Sequence, residues 1–548
     1  MKQLTKTLTT VCVTASGEPI ALHAAQELTK YLQKKGVAIS ENGFPISIAV
    51  DPSFEQDSYK IEASLGENES MTFTGDNTGV LYGVYNFLET YAGIRFFTPT
   101  LEICPKGDVV IPNGLVLEHS PAMKARRLTW HCVQSSPEWC VKQGINFGVN
   151  IPEDFGGQRL NYGKLFVHTI NILAETTYPY PAYGTNPCVT DPEVLATVIK
   201  NVRKALEENP AINIVSVSQN DFEGYCHCPN CKKIEEEEGS PAGPLLRFVN
   251  AVAEDLEKDY PNLTIDTLAY KYTQKTPKIT KPRKNVCIRL CSINCCFTHP
   301  LDNKDCPKSK IFYEDIIGWG KICDKLHIWD YTTNFHYYIS TFANFGVIHK
   351  NMKFFAENNV VSMFPQGNGQ GVSGEFGELR AYLLAKLMWN PYMSEEKYYS
   401  LMDEFLEGYY GAGWKNIRAF IDKTTELAAN GGFAINKADE SEGAPVCGQG
   451  IYGHPFTAIT RGEYLEHEAL FDELWANAVA LAGDRVEFVK RSMMQWRLTK
   501  LYLHPNAEKA QQLIDDAKAA GVVWKEGQFN VQPESDLSLS PFFWKYGK

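Results

Sequence analysis

From Pro121 to about residue 395 the chain repeats one rhythm: a short β-rich run, a loop, then a helical pattern. Strand candidates lie at 124–130, 144–150, 165–173, 211–218, 263–270, 285–291, 325–330 and 359–364. Helical patterns at 191–208, 243–258, 310–323 and 376–389 follow several of them. Helices between strands supply the long crossover that parallel pairing requires. Eight such strands point to an α/β fold built on a (β/α)8 TIM barrel. The helix at 191 carries its own start signal, Asp191 as cap followed by Pro192 in the first turn. The connections among the first three strands carry little helical pattern.

The rhythm changes on either side. Residues 1–118 alternate β-rich runs at 46–50, 59–64 and 71–75 with helices at 21–35 and 79–91. Leu22, Ala25, Leu28 and Leu32, then Val80, Val84, Phe87 and Leu88, recur at helical spacing. Gly79 and Gly83 open the second helix with residues small enough for close packing on a sheet, and 108–117 reads as a hairpin-like pair around Pro-Asn-Gly. After 395 strand signals nearly vanish, and helical patterns run through 395–408, 415–429, 461–482, 485–502 and 506–519, interrupted by a Gly-rich stretch at 431–453. The expected organisation is a small α/β sandwich domain over 1–118, a barrel over 119–395 and a helical C-terminal domain over 396–548.

Charge narrows the classes of function. Fifty-three basic against 65 acidic side chains leave a net charge of −12 with no Lys/Arg block, a poor match to nucleic acid or an anionic membrane. No run of roughly 18 apolar residues offers a membrane span. The opening MKQLTKTLTT has lysines but no apolar run of a secretory leader, so a reduced, cytoplasmic protein is expected. Oligomeric state leaves no mark in the sequence. There is no G-x-S-x-G elbow, no Walker or Rossmann glycine loop and no H-E-x-x-H, so serine chemistry, nucleotide binding and zinc proteolysis find no support.

Reactive groups of a barrel sit at the C-terminal ends of its strands. The fourth predicted strand runs into SVSQNDFEGYCHCPNC, setting Asn220, Asp221 and Glu223 at the mouth. The seventh ends HIWDYTTNFHYY, with Asp330 between Trp329 and Tyr331 and Asn334 close behind. A carboxyl between aromatic rings gains a raised pKa by desolvation, as a general acid needs, or serves as a base facing water. The eighth leads into a Gly-rich loop in which Gln366 and Glu375 are candidates to face a ligand. Arg127, Trp130, His131, His168, Tyr270 and Arg289 occupy other strand ends. Together they describe a wet, aromatic-lined cleft suited to a polyhydroxylated substrate. Asx turns for the Asn and Asp residues, and a helix start for Glu375, are the structural alternatives. His131, His168 and Asp330 would have to converge for a metal-dependent reaction.

Cys226, Cys228 and Cys231 stand in C-x-C-x2-C spacing, which puts three thiolates within reach of one tetrahedral ion, zinc being favoured by soft sulfur ligands. Cys188 is the preferred fourth ligand, because it follows the third strand beside the loop after the fourth. His227, Cys291, Cys295 and Cys296 are its rivals. Such an ion would staple the loop that carries Asp221 and Glu223. A thiolate-saturated site has no open position to activate water, so no cofactor is expected for catalysis.

The stretch SVSQNDFEGYCHCPNCKKIEEEEGSPAGPLLRFVNAVAEDL, with LHIWDYTTNFHYY and GEFGELRAYLLAKLMWNP, resembles the domain-of-unknown-function family 4838 over roughly residues 120–395. The AAQELTKYL helix and GVLYGVYNFLETYAGIRFFTP resemble the small α/β domain before the barrel in glycoside hydrolase families 20 and 67, the latter also with a helical C-terminal domain. The resemblance implies a glycoside hydrolase-like enzyme cleaving a glycan-derived saccharide, such as a uronic-acid or amino-sugar glycoside. Carried over by position from family 67, Asp221 or Glu223 is the acid and Asp330 the base. Family 20 uses an Asp-Glu pair where this chain has Asn220-Asp221. A pair about 6.5–9.5 Å apart would invert, and one near 5–5.5 Å would retain. The alternative is a barrel that binds carbohydrate without catalysis.

Overall fold

The computed structural model describes residues 4–176, 186–430 and 448–527. Most of the Gly-rich stretch 431–453, including Cys447, lies outside them. The N-terminal strands are β1 (Thr5–Thr7), β2 (Thr10–Ala15), β3 (Ala38–Ile39), β4 (Phe44–Val50), β5 (Tyr59–Ser64), β6 (Ser70–Gly75), β7 (Arg95–Thr98), β8 (Leu101–Ile103), β9 (Val110–Pro112) and β10 (Leu115–His119). Six of them form one mixed sheet in the order β10-β5-β6-β4-β2-β3. In β4, Phe44, Ile46 and Ile48 point into the core while Pro45 and Ser47 face water, the period of two that fixes a half-buried strand. Helices Pro19–Lys34 and Gly79–Tyr91 pack together against this sheet. A side chain at Gly79 would collide with the Ser58 carbonyl, and one at Gly83 would press on the Tyr59 ring, so close approach does require both glycines. The expected hairpin over 108–117 is not formed. β9 pairs with β1 and β10 with β5, so the Asn113-Gly114 turn hands the chain from one sheet to another.

The central sheet consists of β11 (Ala125–Arg126), β12 (Ile214–Ser216), β13 (Thr264–Ala269), β14 (Val286–Cys291), β15 (Leu326–Tyr331) and β16 (Val360–Gln366). They are all parallel, in the order β11-β16-β15-β14-β13-β12, and curl into an open half-barrel. Helices Pro192–Glu208, Ala242–Glu257, Pro307–Gly320 and Ile348–Ala356 lie in the crossovers, and Gly377–Trp389 follows the last strand. Asp191 caps the first of these through the Glu193 amide, as its sequence predicts. Segment 144–150, expected as a strand, is irregular, and 165–173, also expected as a strand, is a loop that ends in the short helix Ile170–Leu173. Gly144, Gly148 and His168 all have positive φ, which breaks an extended ladder. Isolated bonds remain, Asn146 N to Arg126 O and Ser216 N to Leu165 O, so these segments fill the space between β11 and β12 without completing eight strands.

The described residues beyond 395 are mainly helical, as expected: Glu395–Tyr410, Trp414–Asn430, Arg461–Glu466, Glu468–Leu481, Val486–Ser492, Met494–Leu503 and Ala507–Ala519. The single helix predicted over 461–482 breaks at His467, whose ring Nδ1 lies 2.9 Å from the Glu463 carbonyl that its own backbone N–H also reaches at 3.1 Å. One hydrophobic core runs from Leu8 to Val523 through the three parts, and a smaller cluster of Ile339, Met494, Leu498 and Leu513 seats the helix Ala507–Ala519. Among the described residues no helix is long and apolar enough to cross a membrane.

Candidate functional site at the strand ends

Register divides the central sheet into two faces. Cys287, Arg289 and Cys291 of β14 lie beside Asp266 and Leu268 of β13 and beside His327 and Trp329 of β15. This is the inner face. Val286, Ile288 and Leu290 point the other way, into the helix-covered core.

The middle of the inner face is a sealed polar cluster. Arg289 binds Asp266 Oδ2 at 2.8 Å, the Tyr162 hydroxyl and, at 3.2 Å, His327 Nδ1. Burial pushes the Asp266 carboxyl up, but the Arg289 guanidinium, a Ser216 hydrogen bond and His327 together outweigh it and hold the carboxyl below its ordinary range. Arg289, predicted to face substrate, is therefore fully buried and paired inside the sheet. Above it comes an aromatic layer. The Arg127 guanidinium sits 4.4 Å from the Phe166 ring centre and 4.3 Å from that of Phe364. Its Nε has no hydrogen-bond partner among the described residues. Burial and the Arg289 charge bring its pKa down to about 10. Trp329 leans on Phe364 at 4.9 Å, and its indole N–H donates to Gln366 Oε1 at 2.8 Å.

At the strand ends Asp221 is exposed. Its Oδ1 accepts the Tyr270 hydroxyl at 2.8 Å and lies 3.1 Å from the Lys271 ammonium. His168 Nδ1 is 2.8 Å from the Gln219 carbonyl. His168 and Lys271 are both non-glycine residues with positive φ, a strain that concentrates at working sites. Asn220 is buried, its amide N–H bound to Asn186 Oδ1 and its Nδ2 without a partner among the described residues. Glu223 is exposed on the following loop.

Glu526 is the residue that sequence reasoning missed. It arrives from the C-terminal segment, held by its own amide N–H to the Phe335 carbonyl at 2.8 Å. Burial and the nearby Asp221 charge raise its carboxyl above the ordinary range, while a hydrogen bond with Tyr452 opposes them. Tyr331, last on β15, feels the same Tyr452 and Asp221. No local pattern around Glu526 marks it. It lies some 300 positions from Asp221 in the chain and well outside the strand–helix repeat.

Asp330 does not join this group. It follows Ile328 on the helix-covered face, opposite in parity to Trp329 and Tyr331, and accepts the Ser292 hydroxyl at 2.6 Å. Burial alone raises its pKa to about 6. Glu375 is also sealed, paired with Arg380 at the start of a helix. Asn334 satisfies Gly453 O and the amides of His336 and Tyr337, a structural role. Trp130 is core, packed beneath Gly367. His131 is exposed at a helix start, and His131, His168 and Asp330 form no metal-type group among the described residues.

The loop after Asp221 brings Cys188, Cys226, Cys228 and Cys231 together, with all four sulfurs within 4.8 Å of one another. Cys188 Sγ stands 3.7 Å from Cys228 Sγ and 3.8 Å from Cys231 Sγ. Zn–S bonds of about 2.3 Å in a tetrahedron give an edge of roughly 3.8 Å, so this donor set fits zinc. The Cys231 amide donates to Cys228 and brings that thiol down to about 6. His227 is exposed, Cys291 ends β14, and Cys295 and Cys296 lie on the loop after it, so the preferred fourth position is the one that assembles.

Two larger cavities lie elsewhere. One of about 570 Å³ opens between Tyr82, Lys142 and Trp389, remote from the strand ends. Another of about 540 Å³ lies beside Lys271 and Tyr272, next to the Asp221 site. Volume alone does not mark the chemistry here, because the first has no convergent carboxylates facing an aromatic wall.

Comparison with known proteins adds the following. A GH115 4-O-methyl-α-glucuronidase with specificity for decorated arabinogalactans superposes with a TM-score of 0.55 and 13% identity, over 94% of this chain and 76% of that one. That is a likeness of fold. A GH138 enzyme targeting pectin rhamnogalacturonan II gives 0.47 at 11% identity over 98% of both chains. A GH20 exo-β-N-acetylglucosaminidase from Vibrio harveyi gives 0.42 at 11%, over 74% of this chain and 75% of that one. No curated protein sequence matches. The domain-of-unknown-function family DUF4838 matches residues 96–422, more than half of the chain. The chain therefore belongs to the DUF4838 family.

Proposed function

We propose that this protein is a glycoside hydrolase-like enzyme that cleaves a glycan-derived saccharide with two carboxyl groups, Asp221 and Glu526, at the mouth of the half-barrel. The observation that carries the reading is that Glu526 feels the Asp221 charge at the strand ends. Both are exposed at the mouth; Asp221 lies beside the Tyr270 hydroxyl and the Lys271 ammonium, while Glu526 is raised by partial desolvation and by the Asp221 charge. Two carboxyls in unlike environments are the chemical minimum for glycoside hydrolysis. Glu526, its carboxyl raised above the ordinary range, gives a proton to the departing glycosidic oxygen. Asp221, held by Tyr270 and Lys271, acts on water or on the sugar carbon. Trp329, half-buried below them, offers a face for a sugar ring, and Arg127, seated on Phe166 and Phe364, offers a cation whose Nε has no partner among the described residues. A uronic acid is the first sugar to test, since its carboxylate would answer that cation and the GH115 fold relative is a glucuronidase. This assignment gives Asp330 no part in the reaction.

The Cys188, Cys226, Cys228 and Cys231 set would hold one zinc ion, whose four thiolates leave no place for substrate. Its work is to fix the loop that carries Asp221. A panel of aryl glycosides and aryl uronides tests the function. The wild type should release aglycone from one of them, and Asp221→Asn should not. Saccharide binding that survives in both proteins with turnover in neither would replace the enzyme by a carbohydrate-binding protein. Replacing Cys228 and Cys231 by Ser should lower bound zinc by one equivalent per chain.

A further inference from the structure

A second set of soft ligands lies outside both the site and the four-cysteine cluster. Cys296, His299 and Cys306 are all buried, and their ligand atoms lie within 4.8 Å of one another. The loop after β14 carries them in C-x2-H-x6-C spacing, ending where the helix Pro307–Gly320 begins. Cys296 Sγ is 3.2 Å from His299 Nδ1. The other ring nitrogen, Nε2, is 3.3 Å from the Ala429 carbonyl, at the end of the helix Trp414–Asn430. With Nε2 donating to that carbonyl, Nδ1 turns its lone pair toward the two sulfurs. A metal-bound histidine requires this same tautomer and outer partner.

Two further features point to a built site. The chain at Gly448 passes so close that any side chain there would collide with Cys296 Sγ and Thr298 Oγ1. Phe297 N also donates to the Gln449 carbonyl at 3.1 Å, so this passing segment is tied to the ligand loop. The charge balance favours a divalent ion as well. Two thiolates and a neutral imidazole around M²⁺ sum to zero, which is the cheapest way to keep ionised sulfur inside a protein.

We propose that Cys296, His299 and Cys306 bind a second divalent metal ion of the zinc class, which ties the loop after β14 to the C-terminal helices. Three protein ligands leave one position for water. The ion sits four residues beyond Ser292, the group that binds Asp330, so it would set the path of that loop across the strand ends. The inference is independent of the proposed reaction, since it concerns metal content alone.

Elemental analysis of the full chain, purified with reductant and without chelator, decides it. Two zinc equivalents are expected, falling to one in Cys228→Ser/Cys231→Ser and to one in Cys296→Ser/Cys306→Ser. One equivalent in the wild type, unchanged by the second double variant, would overturn the proposal. So would a Cys296–Cys306 disulfide found by peptide mapping of the unreduced protein. Should the Cys296/Cys306 variant fail to fold, the Cys228→Ser/Cys231→Ser chain is titrated with Co²⁺. One equivalent with sulfur-to-cobalt charge-transfer bands from two thiolates supports the site, and bands absent or scaled to no thiolate contradict it.

Discussion

Asp266 lies midway along the inner face of the curled sheet, sealed with Arg289, Tyr162 and His327. Asp221 stands just past the strand ends, exposed, with Tyr270 and Lys271 as its partners. Both carboxylates sit in polar company, and both meet a cation. Only one can meet a substrate. The interior cluster has used its charges on each other, and whatever the pair returns in Coulomb energy is largely consumed by desolvation. The mouth has paid less of that cost and keeps a carboxyl pair whose members differ in environment. Polar groups that are buried and mutually paired therefore report on stability, and those that converge where the sheet opens report on chemistry.

That contrast can be broken by mutation, and the largest effect belongs to the mouth. Asp221→Asn should cut turnover by roughly 10²–10⁴-fold while moving stability by no more than about 0.5 kcal/mol, as for other exposed sites. Parallel kinetics and denaturant melts check both halves. Arg289→Met should do the reverse. It leaves Asp266 charged without its partner and should cost about 3–5 kcal/mol of stability, read as a lower urea midpoint, with activity per folded molecule largely kept.

Asp330 gives a smaller effect with a sign of its own. Its folded pKa of about 6 lies above the ordinary carboxyl value near 4, because burial disfavours the anion. Between those values the folded state holds a proton that the unfolded chain has released. Stability therefore falls as pH rises from about 4 to 6 and levels off above, by at most about 3 kcal/mol. Asp330→Asn should flatten that window in pH-dependent melts and leave turnover alone. Lys271→Met should have the least effect, about 0–1 kcal/mol on kcat/KM, shrinking further in high salt because the ion pair is partly exposed.

Much of this was legible in the sequence. The helix over 79–91 and the strand over 59–64 end where their patterns end, and Cys188 joined its three partners as spacing and loop order suggested. Two strand expectations failed, because apolar content at 144–150 and 165–173 could not reveal that Gly144, Gly148 and His168 turn the backbone out of the extended region. The error at Asp330 was one of parity. Leu326 and Ile328 alternate with His327 and Trp329, so the sequence itself places Asp330 with the apolar set. The aromatic neighbours that marked it, Trp329 and Tyr331, stand on the opposite face. Glu526 had no such signal, since only tertiary packing of the C-terminal segment brings it to Asp221.

The sharpest discriminator between the mouth pair and the buried Asp330 is the pH dependence of kcat/KM. It should be measured on the aryl glycoside that the wild type turns over, for the wild type, Glu526→Gln and Asp330→Asn. If Glu526 is the proton donor, the wild type shows a bell, Glu526→Gln loses the alkaline limb with most of its rate, and Asp330→Asn keeps both limbs. An alkaline limb that survives in Glu526→Gln and disappears in Asp330→Asn would contradict it.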